Sequence, residues 1–210
     1  MKIVAFCPVK LNSERLKDKN IKTLGDKPLI RHSLDTVIDS GLFDEVYVYC
    51  SSAKIKKYLP DGCLFLKRPN SLDSSSTKGK DIYKLFSKNI KADYYFLFHV
   101  TSPFLTLTSI KCALESLKTG YDSAISVSEH YTFARFGNEP INFNPNDPIQ
   151  TQLLKPIYLE TSSFFLCSVN EFSKGIRYGK KCKMIVVDEK ESIDIDNLED
   201  WKKAEIYLNI

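Results

Sequence analysis

The chain has no long apolar run. Its most hydrophobic stretch, residues 94–100, falls far short of the roughly 20 residues needed to cross a bilayer. The amino terminus passes directly into a strand pattern without the features of a secretory leader. Charge of one sign is scarce as well. Thirty Lys and Arg stand against 26 Asp and Glu, and the net +4 is dispersed. That excess argues against nucleic acid as a partner and is compatible with a small anionic ligand. None of the six cysteines, Cys7, Cys50, Cys63, Cys112, Cys167 and Cys182, forms a Cys-x-x-Cys pair. Most fall inside apolar strand or helix patterns, so buried thiols in a reducing compartment, the cytoplasm, are expected rather than zinc ligands or disulfides. Internal repeats and low-complexity tracts are also missing. What is there, 210 residues with 43% hydrophobic and 27% charged, has the makeup of one soluble globular domain, 1–210, with a substantial core.

Strand and helix patterns alternate along it. Residues 2–7 form a continuous apolar run, as a strand buried on both faces should. Pro28 opens a helix with Ile30, Leu34, Val37 and Ile38 on one face, ended by Gly41. Strand patterns follow at 45–50 and 63–66, with a short helix between them. A helix carries Ile82, Leu85, Phe86 and Ile90 on one stripe, and the strand at 94–100 is the most apolar and central. Another amphipathic helix presents Ile110, Ala113, Leu114 and Leu117, and a strand spans 123–128. Short β-to-α links of this kind predict a doubly wound, mostly parallel α/β sheet.

The character changes between residues 129 and 158. Pro140, Pro145, Pro148 and Pro156 interrupt any helical period, and asparagines are frequent. A structureless loop of that length is rare in a compact domain, so short strands or a hairpin packed on something else are expected. Further on, 164–169 has a strand pattern. Near the carboxyl end Ser192-Ile193-Asp194-Ile195-Asp196 alternates with period 2, which puts both aspartates on one side and both isoleucines on the other. Paired carboxylates can hold Mg²⁺ together with substrate phosphates. Asp196 can equally be the N-cap of a last helix marked by Leu198, Trp201, Ala204 and Leu208, with Glu199 completing the box; the two roles are compatible.

The first strand leads into a polar loop bearing Lys10, Ser13, Arg15, Lys17 and Lys19. Ligands of open α/β sheets bind beyond the carboxyl ends of the strands. Cations gathered there are suited to an anion such as a polyphosphate, although a plain charged surface loop has the same composition.

The order of residues is more specific. Pro8-Val9-Lys10-Leu11-Asn12-Ser13-Glu14-Arg15-Leu16-Lys17-Asp18-Lys19-Asn20, followed by Leu24-Gly25-Asp26-Lys27-Pro28-Leu29-Ile30, resembles the amino-terminal signature of the acylneuraminate and KDO cytidylyltransferases, which include the CMP-sialic acid synthetases. Ile193-Asp194-Ile195-Asp196-Asn197-Leu198-Glu199-Asp200-Trp201 resembles their D-I-D-x-x-x-D-W ending. Arg68-Pro69, Thr101-Ser102-Pro103, Thr151-Gln152-Leu153-Leu154-Lys155-Pro156-Ile157-Tyr158 and Glu160-Thr161-Ser162-Ser163-Phe164-Phe165 match further segments in order, so the resemblance covers essentially the whole chain.

It implies a fold of the nucleotide-diphospho-sugar transferase type and transfer of CMP from CTP to an acidic sugar with release of pyrophosphate, making a donor for glycan synthesis. Lys10, Arg15 and Lys19 would be catalytic, and Lys10, Ser13, Arg15, Lys19, Asn20 and Arg68 would bind the nucleotide. His99, Thr101, Ser102, Glu160 and Phe164 would bind the acceptor, and Asp194 and Asp196 would hold Mg²⁺, leaving Asp200 structural. The segment 129–158 would be a dimerisation arm covering the partner's site. Departures lie at Lys10, where the family has Arg, at His99 for Gln, at Leu105 for Arg, and at Thr161 and Ser162 for Asn and Gly. They leave the acceptor open among a nonulosonic acid, KDO or another 2-keto sugar acid, and a non-sugar acid such as a phosphonate. A catalytically silent nucleotide-binding homologue is a further alternative. A glycosyltransferase normally carries its Asp-x-Asp site mid-chain and lacks the basic loop near residue 10. His99 can be read as a general base or as a satisfied histidine at a strand end.

Overall fold

The computed structural model describes residues 1–13 and 15–209. In chain order the strands are β1 (Ile3–Val9), β2 (Thr23–Leu24), β3 (Lys27–Pro28), β4 (Glu45–Cys50), β5 (Cys63–Lys67), β6 (Tyr94–Phe98), β7 (Ser123–His130), β8 (Arg135–Phe136), β9 (Glu139–Pro140), β10 (Ile157–Ser168) and β11 (Cys182–Val186). The helices are α1 (Leu29–Asp39), α2 (Gly79–Asn89), α3 (Leu107–Lys118), α4 (Val169–Phe172) and α5 (Leu198–Leu208). Seven strands form one sheet in the order β11-β7-β10-β6-β1-β4-β5. β10 runs antiparallel to both its neighbours, β6 and β7, and the other pairs are parallel. The mostly parallel sheet expected from the alternation is therefore present, with one opposed strand.

Period 2 in β1 sorts its side chains onto two cores. Ile3, Ala5, Cys7 and Val9 pack with Ile30, Leu34 and Val37 of α1 and Ile110 and Ala113 of α3. Val4 and Phe6 face the other way, toward Tyr83 and Phe86 of α2 and Phe172 of α4. Phe6 stacks on Phe86 with centroids 4.1 Å apart, and the Phe172 ring meets Phe6 edge-on at 5.5 Å. A strand covered by helices on both faces needs apolar residues in both registers, and 3–9 supplies them. A third, smaller core seals one edge, where Trp201 and Ala204 of α5 close over Leu24, Leu29, Ile193 and Ile195.

The chain leaves β1 toward β4 and β5 and later returns on the other side of β1 as β6. That reversal opens a crevice beyond the carboxyl ends of β1 and β6. The segment 131–156 lies outside the large sheet and contains the β8–β9 hairpin and a turn of 3₁₀ helix at Thr151–Leu153. Asn142 clasps it: its Oδ1 accepts from the Ala134 amide at 3.0 Å, and its Nδ2 donates to the carbonyls of Thr132 at 2.8 Å and Lys155 at 3.1 Å.

Two expectations need correction. Residues 192–196 alternate as a strand would, but they join no sheet; the Ile195 amide instead donates to the Thr101 carbonyl at 2.8 Å. The cap of α5 is Asn197, not Asp196. Asn197 Oδ1 accepts from the Glu199 and Asp200 amides, and Asp200 Oδ2 accepts from the Asn197 amide, closing the box one residue later than the sequence reading placed it. The six cysteines are all free, yet Cys112 is exposed on α3 rather than buried. No helix among the described residues is long and apolar enough to cross a membrane.

Candidate active site

The loop after β1 is shaped by two local devices. Asn20 Nδ2 donates to the Lys10 carbonyl at 2.8 Å, pulling the start of the loop back toward its end. Asp18 sits in the left-handed region at φ 54°, a conformation short polar residues tolerate, and the turn it makes drives Lys19 into the interior, where only 6% of the residue is exposed. A cavity of about 410 Å³ results, bounded by Lys10, Ser13, Arg15, Lys19 and Asn20 on one side and by His99, Thr101 and Asp196 on the other. Lys17 is exposed and does not line it.

Two aspartates reach this cavity from the opposite end of the chain. Ile193 and Ile195 are buried against Trp201, so Asp194 and Asp196 project to the other side of the segment. Arg15 Nη2 stands 2.7 Å and Lys19 Nζ 3.2 Å from Asp196 Oδ1, and Lys19 also donates to the Ile195 carbonyl. Lys19 is therefore partly a structural tie. Arg15 differs: its side chain is 67% exposed, so its pair with Asp196 is screened and readily redirected to an anion in the cavity. Asp194 Oδ1 is buried with no hydrogen-bond partner among the described residues. An orphaned carboxylate oxygen beside a second carboxylate fits a hard, oxygen-preferring cation that takes its remaining ligands from phosphate and water. Among the described residues no set of three or more His, Cys, Asp or Glu side chains is arranged as a complete metal cage.

Arg68 opens a second limb of the crevice. It is 2% exposed, its Nη2 is 2.5 Å from Asp73 Oδ1, and its Nε has no hydrogen-bond partner among the described residues. With Ser74, Ser75, Thr77 and Gly79 it lines a space of about 280 Å³ that shares Pro8, Lys10, Ser75 and His99 with the first cavity. Gly79 begins α2, whose N-cap Lys78 gives no side-chain cap.

His99 stands where the limbs meet. Its Nδ1 lies 2.6 Å from the Ser162 carbonyl, which makes Nδ1 the donor and leaves Nε2 as the acceptor nitrogen. Burial holds the imidazole below its ordinary value of 6.5, outweighing the Ser162 bond and the pull of Asp194 and Asp196. Ser162 adopts φ 61° at the irregularity that interrupts the β10–β7 pairing between Glu160 and Phe165, and this turn aims its carbonyl at His99. The bulge thus sets the orientation of a crevice side chain.

The other acceptor candidates are dispersed. Thr101 lines the cavity. Ser102 is buried and does not; its hydroxyl has no partner among the described residues. Phe164 stacks on Phe96 in the core on the α1 and α3 side. Its neighbour Phe165 faces the opposite way, edge-on to His99. Glu160 is exposed, 3.7 Å from Arg177.

Three contributors carried no motif. Ser75 lies in a polar stretch that only the fold brings over the cavity. Arg177 lies over the Phe165 ring at 4.3 Å. Glu191, 3% exposed, reaches α3: its Oε1 accepts from the Thr106 amide at 3.2 Å, and its Oε2 accepts from the hydroxyls of Thr106 at 3.0 Å and Ser109 at 2.8 Å. That clamp fixes the approach of 193–196 to the crevice. A buried carboxylate capping a helix from another segment has no sequence signature beyond Thr106 itself.

A switch-point crevice with a basic loop on one wall and paired carboxylates on the other is the setting in which open α/β proteins place phosphorylated ligands. The chain belongs to the cytidylyltransferase family, whose model matches residues 4–184. It is 29% identical over 198 residues to N-acylneuraminate cytidylyltransferase A of Danio rerio, covering 89% of this chain and 46% of that protein. The N-acylneuraminate cytidylyltransferase of Escherichia coli is 25% identical over 221 residues, covering 97% and 51%. The chain thus spans about half the length of these relatives. CMP-N,N'-diacetyllegionaminic acid synthase of Legionella pneumophila is similar end to end, 25% identical over 237 residues with 100% and 97% covered. Among solved structures, CMP:2-keto-3-deoxy-manno-octonic acid synthetase complexed with CTP superposes with a TM-score of 0.68 at 12% identity, covering 100% of this chain and 99% of that one. A 4-diphosphocytidyl-2C-methyl-D-erythritol synthase from Anaerococcus prevotii gives 0.70 at 13%, covering 100% and 96%. At such identities the likeness establishes the fold alone, and with it the mostly parallel α/β sheet expected from the sequence.

Burial pushes Glu191 above its ordinary value of 4.5, against the lowering effect of its bonds from Ser109 and Thr106. The folded state therefore binds this proton more readily than the unfolded chain does. The resulting stability is complete below pH 4.5 and is lost as pH rises through the raised value. Glu191→Gln should flatten that part of the stability–pH curve in urea titrations. Glu191→Ala, which leaves buried donors without their acceptor, should cost about 1–3 kcal/mol.

Proposed function

We propose that this chain transfers CMP from CTP to an acidic sugar, releasing pyrophosphate, and that the acceptor is a nonulosonic acid. The observation that carries this reading is the meeting of the β1 loop with Asp194 and Asp196 across one crevice. Cations for a leaving pyrophosphate and carboxylates for a metal-bound α-phosphate then face each other over the place where the bond breaks. Membership of the cytidylyltransferase family supports the reaction class. The names of the relatives, two N-acylneuraminate cytidylyltransferases and a CMP-diacetyllegionaminic acid synthase, support the acceptor class.

An acceptor hydroxyl attacks the α-phosphorus, and charge grows on the departing β,γ-phosphates. Lys10, Arg15 and Lys19 line the wall where that charge develops and stabilise it electrostatically. Ser13 and Asn20 orient the phosphates. Arg68, with its unpartnered Nε, meets the ribose or cytosine in the second limb. With Arg15 turned from Asp196 to the triphosphate, Asp194 and Asp196 would hold Mg²⁺, which when bound would supply polarisation of a phosphate oxygen and a lowered pKa for an attacking hydroxyl. His99, held neutral, presents Nε2 on the acceptor side, where it accepts a hydrogen bond or the hydroxyl's proton.

The proposal extends to a homodimer acting in the cytoplasm. The 129–158 arm exposes Tyr131, Phe133, Phe136, Ile141, Ile149 and Leu153, with Phe136 84% accessible. Apolar surface clustered on one projection is characteristic of an interface. A second copy is the occupant, because an arm reaching beyond its own sheet can cover the crevice of a twin. Sedimentation should give twice the 24.0 kDa chain mass, and Phe136→Asp should shift it to the monomer. A wild-type protein that remains at chain mass over a wide concentration range removes the dimer.

The reaction is tested by following pyrophosphate release from CTP and Mg²⁺ across a panel of nonulosonic acids, other 2-keto sugar acids and phosphonates. Turnover with CTP and a nonulosonic acid is expected. Asp194→Ala and Asp196→Ala should each lower kcat by about 10³-fold or more, of the order seen when a preorganised electrostatic group is lost, without unfolding the protein. Near-normal turnover in both variants rejects the metal site. Silence with no CTP binding points to the catalytically silent homologue.

A further inference from the structure

From the contents of a third chamber, and on the basis of the cytidylyl-transfer reading above, we infer that Arg177 is the counter-ion for the carboxylate of the acceptor. The chamber, about 520 Å³, lies between the first turn of α2 and the segment joining α4 to β11. It shares Gly79 and Tyr83 with the Arg68 limb, whose lining includes His99. Lys78, Lys80 and Arg177 line it, and no carboxylate does among the described residues. A concave space with three cations and no anion on its walls among the described residues is suited to an anion, and it shares no lining residue with the basic loop. The triphosphate already has Lys10, Arg15 and Lys19, so these cations serve a second negatively charged molecule.

Arg177 is the member of the set that is held in place. Its guanidinium lies over Phe165 at 4.3 Å and close enough to the buried Tyr83 hydroxyl to influence its titration. Glu160 stands 3.7 Å away, too far for a hydrogen bond, and both side chains are more than a third exposed. That pair steers the guanidinium without saturating its five donors. A planar fork resting on a ring and presenting a free edge is suited to a bidentate carboxylate contact. The Phe165 ring under the Arg177 guanidinium also stands edge-on to His99 at 6.2 Å, so a carboxylate on Arg177 would lie near the imidazole, as the attacking hydroxyl on the neighbouring carbon of a 2-keto sugar acid requires.

The chamber depends on an unusually close approach. Gly175 has φ 84°, and a Cβ there would fall 2.7 Å from Lys80 Cβ and 3.0 Å from the Lys80 carbonyl oxygen. Only glycine lets the 173–178 segment lie against α2 and bring Arg177 to the crevice.

The test compares N-acylneuraminate with its methyl ester as acceptors for the wild-type enzyme, Arg177→Met and Arg177→Lys. Losing a charge-assisted contact should raise the acceptor KM of Arg177→Met by about 10- to 100-fold while the KM for CTP stays within about twofold. Arg177→Lys keeps the charge without the fork and should fall between. The preference for acid over ester in kcat/KM should collapse in Arg177→Met by the same factor. CTP binding measured directly on each variant reports that the fold is intact; if Arg177→Met does not fold, the comparison is made with Arg177→Lys. An acceptor KM within threefold of wild type, or an undiminished acid-over-ester preference, overturns the assignment of Arg177 alone. Wild-type silence with CTP and every acid in the panel overturns the cytidylyl-transfer reading itself.

Discussion

The structure turns on one electrostatic closure: the Asp196 carboxylate held by Arg15 and Lys19, residues nearly a whole chain length away. Asn20 and Asp18 shape the β1 loop locally, and this closure ties it to the far end of the chain. Without Asp196, the buried Lys19 would keep the Ile195 carbonyl but no counter-charge, a costly state for an ammonium group. The Ile195 carbonyl and the Thr101–Ile195 backbone bond extend the same closure into the sheet, so β1, β6 and the start of α5 are fixed relative to one another. Glu191 anchors the far end of that segment on α3. Charged residues here do what a sheet hydrogen-bond ladder does elsewhere, because 192–196 has no strand partner.

The arrangement separates two tasks. On the proposed reading, the groups for the nucleotide hang from the carboxyl ends of β1, β5 and β6, strands of a sheet packed on both faces. The groups proposed for the acceptor come from a bulge in β10, the first turn of α2 and an irregular connection before β11. Transfer between two anions would need their charges countered separately, and these two sets of groups lie on separate walls.

Much of this was legible in the sequence because it follows from local rules. The β-then-α alternation, the two-faced apolar register of β1 and the cations at its end are all short-range patterns. So was the sidedness of 193–196, since period 2 holds for any extended chain, paired or not. Illegible features depended on register or on distant partners. The opposed direction of β10 is not written in the residues of β10. The box on α5 shifted by one residue because Asn197 and Asp200 form it as well as Asp196 and Glu199 could. Phe164 was expected beside the site, and strand pleat alone sends it into the core and turns Phe165 toward His99. Arg177 sits in a stretch without motif or period, and its place depends on a glycine whose close contact lies about 95 residues earlier.

Ser162 carries a consequence for how this protein tolerates change. A residue other than glycine at φ 61° costs on the order of 1 kcal/mol, and a branched side chain costs more. Serine, asparagine, aspartate and glycine can occupy the position; valine, isoleucine and threonine would rotate the peptide and take its carbonyl away from the imidazole. Drift at this site is therefore confined to a handful of small residues, although the side chain itself makes no contact on which the crevice depends. The constraint lies in a torsion angle, so comparison by side-chain chemistry would group serine with threonine where the backbone separates them.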